Sequence, residues 1–180
     1  MFMDTQKLIL DKISSVLDAT SKEHAVNLKK LVDESGRIFV GGAGRSLLVA
    51  RFFAMRLVHA GYQVNMPGEI VTPAIVAGDL LIVISGSGGT KTLLPMLETA
   101  KAKGAKIAVI SMKASSAMAD IADYTVQIGK DDSFPLTKGL PMGTAFELST
   151  LVYLEAIIGE FVFDKDLTEE GMRAIHANLE

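Results

Sequence analysis

Cysteine is absent from this chain, which excludes disulfides, thiolate nucleophiles and cysteine-ligated metals. Tryptophan is absent too. There are only three histidines, His24, His59 and His176. None stands four residues from another, the spacing with which a helix offers two ligands to one metal. No metal and no other cofactor is expected. No cluster of Lys and Arg occurs, and 18 basic against 21 acidic residues leave a net charge of −3. A nucleic-acid partner, which needs a basic footprint, is not expected. No apolar run reaches the ~18 residues that span a bilayer. The longest, residues 148–158, is broken by Ser149, Thr150 and Glu155, so no membrane partner is expected. The first twelve residues carry Asp4, Lys7, Asp11 and Lys12 and do not read as a signal peptide. The expected location is cytoplasmic.

What is present is apolar surface. Hydrophobic residues make up 49% of 180, and mean hydropathy is +0.34. A chain this long forms one domain with a sizeable core, and the excess points to subunit interfaces and hence a homo-oligomer. The periodicities predict an amphipathic helix over 5–17 and a second, capped by Ser21, to about residue 32. Strand patterns follow at 37–40, 62–65, 80–84, 106–110 and 124–128. Helical patterns occupy 45–59, 90–103 and 115–122, with Gly61 and Gly104 at C-terminal cap positions. Residues 129–141 read as a loop, 142–161 as a long helix and 168–178 as a short one.

Strands alternating with helices indicate an α/β fold, a three-layer sandwich around a five-stranded parallel sheet. A flavodoxin-like order, 2-1-3-4-5, is expected. One domain covers 1–180: N-terminal helices over 1–34, the parallel core over 37–128, and C-terminal helices over 142–180.

Two short loops follow strand patterns directly. Gly41-Gly42-Ala43-Gly44-Arg45-Ser46 comes after residues 37–40, and Ser85-Gly86-Ser87-Gly88-Gly89-Thr90 after 80–84. Glycines let backbone approach an anion, and helix N-termini offer N–H groups and a favourable dipole. In the 2-1-3-4-5 order both loops sit at the switch point, where such sheets bind ligands. The alternative is an ordinary turn of small residues. Neither loop is a nucleotide motif: Leu47 stands where a dinucleotide fingerprint needs its third Gly, and the second loop does not fit the P-loop pattern. The phosphate candidates are Gly44, Arg45 and Ser46 in the first loop, and Ser85, Gly86, Ser87 and Thr90 in the second. Arg45 reads either as a phosphate or sugar contact or as a surface ion-pair residue. Further along the same helix, Arg51 reads as a packing or interface residue and His59 as a helix-end residue.

Glu147 opens the apolar helix after Pro141-Met142-Gly143-Thr144. In an apolar setting a carboxylate becomes a competent general base near neutrality. The alternative is a capping box, Thr144-x-x-Glu147, with Glu147 bonded to the backbone of Thr144.

Gly-Ala-Gly-Arg-Ser at 42–46, Arg51-Phe52-Phe53-Ala54-Met55-Arg56-Leu57, Ser85-Gly86-Ser87-Gly88-x-Thr90 and Leu140-Pro141-Met142-Gly143-Thr144-x-Phe146-Glu147 resemble the sugar isomerase (SIS) domain family over nearly the whole chain. The last segment is the most specific. It is similar to a branch that interconverts D-arabino-hex-3-ulose 6-phosphate and D-fructose 6-phosphate in the ribulose monophosphate pathway. The resemblance implies a sugar-phosphate isomerase without metal or nucleotide, a homotetramer, functionally linked to 3-hexulose-6-phosphate synthase. It places phosphate-binding hydroxyls on Ser46, Ser85, Ser87 and Thr90, and the general base on Glu147. It adds His176 as a catalytic residue reaching a neighbouring subunit's site. Gly89 stands where some relatives carry Arg, which leaves Lys91 or Arg45 to replace that cation. Two other readings stay open: an isomerase of another sugar phosphate, such as arabinose 5-phosphate, and a non-catalytic sugar-phosphate sensor. The sensor would need no base.

Overall fold

The computed structural model describes residues 2–179. Two helices, α1 (Phe2–Ala19) and α2 (Lys22–Asp33), precede an alternating run: β1 (Ile38–Gly42), α3 (Arg45–His59), β2 (Val64–Asn65), β3 (Leu80–Ile84), α4 (Leu94–Ala102), β4 (Lys106–Ser111) and β5 (Tyr124–Gln127). The chain closes with α5 (Thr144–Asp164) and α6 (Glu169–Ala174). Ser21 caps α2 by accepting from the Glu23 N–H, as its residue type and position dictate. The five strands pair in the order β2-β1-β3-β4-β5, all parallel. That is the expected sheet and order.

Strand alternation divides the core into two layers. Ile38, Val40, Leu80, Ile82 and Ile84 face α1, α2, α3 and α5, whereas Phe39, Leu81 and Val83 face α4. Every residue of β3 is buried, as a central parallel strand covered on both faces requires. In the first layer Phe161 of α5 is fully enclosed. Its ring centroid lies 5.4 Å from that of Tyr62, with Lys29 and Lys165 each holding an ammonium 5.7 Å from its own.

Three helices differ from the sequence reading by more than their end residues or for a local reason. The helix expected over 115–122 is a series of turns. Amides of Asp120 and Ala122 reach back to Ser116 and Met118, but the Ser116 hydroxyl takes the Ala119 N–H and the Met118 N–H is committed to Gly88 O. That side-chain competition stops propagation. The helix expected from 90 starts at Leu94, because Pro95 is tolerated only in a first turn. The last helix is shorter than expected, Glu169–Ala174, with Thr168 capping it through the Gly171 N–H.

The outer edge of β5 is closed by a side chain. Ile128 donates inward to Ser111 O, so the Gln127 N–H faces outward, and it meets Nε2 of His24 at 3.3 Å. Nε2 must then be the acceptor, which leaves the proton on Nδ1 to be donated to the Tyr124 hydroxyl at 2.8 Å. Burial lowers the His24 pKa and favours this neutral form.

Candidate functional site

Pairing of Gly42 with Ile84 sends the two loops out side by side from adjacent strands. The first turns sharply into α3. A side chain at Gly42 would lie 3.0 Å from Ile84 O and 3.2 Å from the Leu47 nitrogen. Gly44, at φ +56°, occupies the N-cap position, so Arg45 and Ser46 form the first turn of α3.

The second loop is held from behind. Gly88 has φ +62°, and any side chain there would collide with Ser116 and approach the Ser111 hydroxyl. The Ser111 hydroxyl donates to Gly86 O at 3.2 Å, and Met118 N–H donates to Gly88 O at 3.0 Å. Ser85 and Thr90 hydroxyls meet across the loop at 3.2 Å, and the Ser87 hydroxyl accepts from the Gly89 N–H at 3.2 Å. Among the described residues, the N–H groups of Gly86, Ser87 and Thr90 have no protein acceptor. These amides and hydroxyls make a concave donor set suited to a phosphate. The donors come from the loop itself rather than from the start of α4, which lies further on.

The N-terminus of α5 completes the crevice. Phe146 packs so closely on Gly86 that an added Cβ there would lie 3.0 Å from its ring. The next residue, Glu147, points back at the first loop. Both of its carboxylate oxygens accept from Arg45 Nε, at 3.0 and 2.8 Å, and Arg45 Nη2 donates to Met142 O at 2.6 Å. The α5 N-cap is Gly143 and carries no side-chain capping bond; the Thr144 N–H goes to Pro141 O. The capping-box reading of Glu147 therefore fails. The apolar surroundings expected for it are also corrected, since its carboxylate is held by a guanidinium. That pairing raises the Arg45 pKa.

Thus the loop of Gly44, Arg45 and Ser46, the loop of Ser85, Gly86, Ser87 and Thr90, and Glu147 converge at one end of the sheet. His176 does not. It lies in the exposed segment after α6, its ring stacked 5.2 Å from His59 at the far end of α3. That is about 20 Å from Ser46, at 1.5 Å per helical residue. His59 is buried with its Nε2 unpartnered, and burial, His176 and Arg56 all lower its pKa. Arg51 pairs with Glu69 at the surface, as a non-catalytic reading required. The sequence reading missed the supports of the second loop, Ser111 and Ser116, and the role of Gly143 beneath Arg45 and Glu147. Only the run of hydroxyl residues after β4 hinted at the first two. An apolar cavity of about 340 Å³ lined by Phe39, Pro67, Ile75, Leu81 and Met96 lies on the α4 side. It holds no ionisable group and takes no part in this site.

A family model described as SIS domain matches residues 30–158. The chain is 62% identical to a 3-hexulose-6-phosphate isomerase of Methylomonas aminofaciens, over 97% of this chain and 98% of that protein. It is 38% identical to a 3-hexulose-6-phosphate isomerase of Bacillus subtilis (strain 168), over 96% of this chain and 95% of the other. A crystal structure from Methanococcus jannaschii, from which a function of 3-hexulose-6-phosphate isomerase was inferred, superposes with a TM-score of 0.87 at 31% identity. It covers 98% of this chain and 99% of that one.

Proposed function

The chain belongs to the SIS domain family, and from that membership we propose that it interconverts D-arabino-hex-3-ulose 6-phosphate and D-fructose 6-phosphate through a cis-enediol. It is a sugar-phosphate isomerase. The observation that carries the mechanism is the delivery of Glu147 by α5 to the crevice that holds both loops. The phosphate is bound by Ser46, Ser85, Ser87 and Thr90, with Gly44 and Gly86 giving backbone access. Hydroxyl and amide donors hold a dianion without neutralising it, which allows release. Glu147 takes the C2 proton of the 3-ketose. The C–H electron pair forms the C2–C3 double bond, and the C3 carbonyl oxygen becomes the enediolate oxygen, steadied by nearby donors. The C2 hydroxyl proton passes to the C3 oxygen; the C2 oxygen then re-forms a carbonyl as Glu147 returns the carried proton to C3, which gives the 2-ketose with its C3 hydroxyl. The whole step is a proton relocation and needs no net oxidant.

An assay coupled to fructose 6-phosphate formation, run beside arabinose 5-phosphate and other sugar phosphates, tests the substrate. Turnover should be confined to the hexulose–fructose pair, and Ser87→Ala should raise KM several-fold with kcat nearly unchanged. Faster turnover of another sugar phosphate overturns the assignment of substrate, and no turnover of any leaves the sensor reading.

The functional protein is a homo-oligomer, a tetramer, in the cytoplasm, operating next to 3-hexulose-6-phosphate synthase in formaldehyde assimilation. No helix among the described residues is long and apolar enough to cross a membrane. Support for assembly comes from Leu48, Phe52 and Met55 on α3 and Leu148 and Val152 on α5. They are 37–64% exposed and recur at three- and four-residue spacing, which makes one apolar stripe on each helix. At micromolar concentration, light scattering should give about four times the 19.2 kDa of one chain; a mass near one chain would refute assembly. A catalytic role for His176 requires such a contact, because within one chain the length of α3 separates it from the crevice.

A further inference from the structure

We propose that Arg45 is the positioning residue for Glu147, not a phosphate ligand, and that Gly143 is the seat on which the pair rests. The proposal rests on the reading of Glu147 as the base. Three observations carry it. Arg45 bridges the two elements that must act together, because α3 begins at Arg45 and α5 begins three residues before Glu147. Its Nε–H reaches both carboxylate oxygens while Nη2 is fixed by Met142 O. The guanidinium is thereby anchored at two points, with its one Nε–H shared between the two carboxylate oxygens. Gly143, at φ +87°, lies directly under them; a side chain there would collide with Arg45 Nη2 and come within 2.8 Å of Glu147 Oε1.

The pair is also placed to keep charge balanced through the reaction. In the resting site the guanidinium faces the Glu147 carboxylate. When Glu147 takes the C2 proton it becomes neutral, and the negative charge moves to the enediolate oxygen. The cation does not have to move for this: the summed charge of guanidinium, Glu147 and substrate is the same before and after the transfer. A carboxylate held by a single N–H retains lone pairs on both oxygens, so pairing with Arg45 leaves Glu147 able to accept a proton.

The role separates from phosphate binding in kinetics. Arg45→Ala should lower kcat by roughly 10–100-fold, the scale of a lost charge-assisted bond, with KM changed less than about threefold. Added guanidinium ion should restore part of kcat. Arg45→Lys, which keeps the charge without the fork, should be rescued less by the added ion because its own ammonium occupies the site. In combination with Glu147→Gln, Arg45→Ala should cost no further kcat, because it acts through the residue already removed. A raised KM with kcat intact overturns the proposal and restores Arg45 to the phosphate. Additive losses in the double variant also overturn it, and leave Glu147 as the base. Full kcat in Glu147→Gln alone overturns both readings. A circular-dichroism melt of each variant separates these losses from misfolding. Should Arg45→Ala not fold, the kcat-against-KM split and the double variant with Glu147→Gln are read on Arg45→Lys.

Discussion

Replacing Glu147 with glutamine should leave a folded protein that binds its substrate and turns it over ~10²–10⁴-fold more slowly. The amide nearly matches the carboxylate in shape and can still accept from Arg45 Nε through its oxygen, so packing at the start of α5 is preserved. What is lost is the capacity to take a proton from carbon. KM should change little, since the phosphate donors are untouched. Isotope exchange supplies a second view. A base that carries one proton from C2 to C3 can exchange it with solvent during the life of the enediol, so fructose 6-phosphate formed in D2O by the native enzyme should gain deuterium at C3. Wild-type kcat in a folded Glu147→Gln protein would remove Glu147 from the chemistry altogether.

Phe161→Ala should produce the largest loss of stability, about 3–5 kcal/mol. The ring is fully buried, with the Tyr62 ring beside it and the ammonium groups of Lys29 and Lys165 over it, late in α5 and remote from the crevice. Its removal leaves a cavity that the surrounding helices and sheet fill only in part. Urea unfolding should show the loss as a lower midpoint, and below that midpoint the kinetic constants should stay near wild type. A change under about 1 kcal/mol would mean that α5 closes over the gap, and that this end of the helix is less tightly held than its burial implies.

The parallel sheet and its order were legible because β3 and β4 are nearly unbroken apolar runs and Gly36, Gly61 and Gly104 follow α2, α3 and α4. The α3 limits follow from Gly44 before it and Gly61 after it, both at positive φ. Residues 115–122 have a composition that suits a helix, but the Met118 N–H is taken by Gly88 O of the second loop, which is distant in sequence, and the Ala119 N–H by the Ser116 hydroxyl. The same non-local tie hid Ser111 and Ser116, which stand behind Gly88, with the Ser111 hydroxyl also held by Gly86 O. Both loops could be assigned to one crevice from strand order alone. The Arg45–Glu147 pair could not, since 102 residues separate its members and nothing in either local pattern marks the other. The capping box was a sound local reading that lost to this long-range partner.

The plug at the rim of β5 bears on how copies of the chain can join. A parallel sheet ends in strands with unspent backbone donors, and such rims invite another strand to add, without limit, into fibres. Here the opposite rim is a strand of two residues, Val64–Asn65, too short to template much. At the β5 rim the imidazole of His24 takes the Gln127 amide that an incoming strand would need. With both rims blunted, sticky surface remains on the flanks of α3 and α5, where contacts are made by side chains and can close on themselves by rotation. A finite particle rather than an endless ribbon is the growth habit this leaves. The guard also has a chemical weak point: a proton on Nε2 would turn it from acceptor to donor and open the rim, a change that the lowered His24 pKa defers to more acidic conditions.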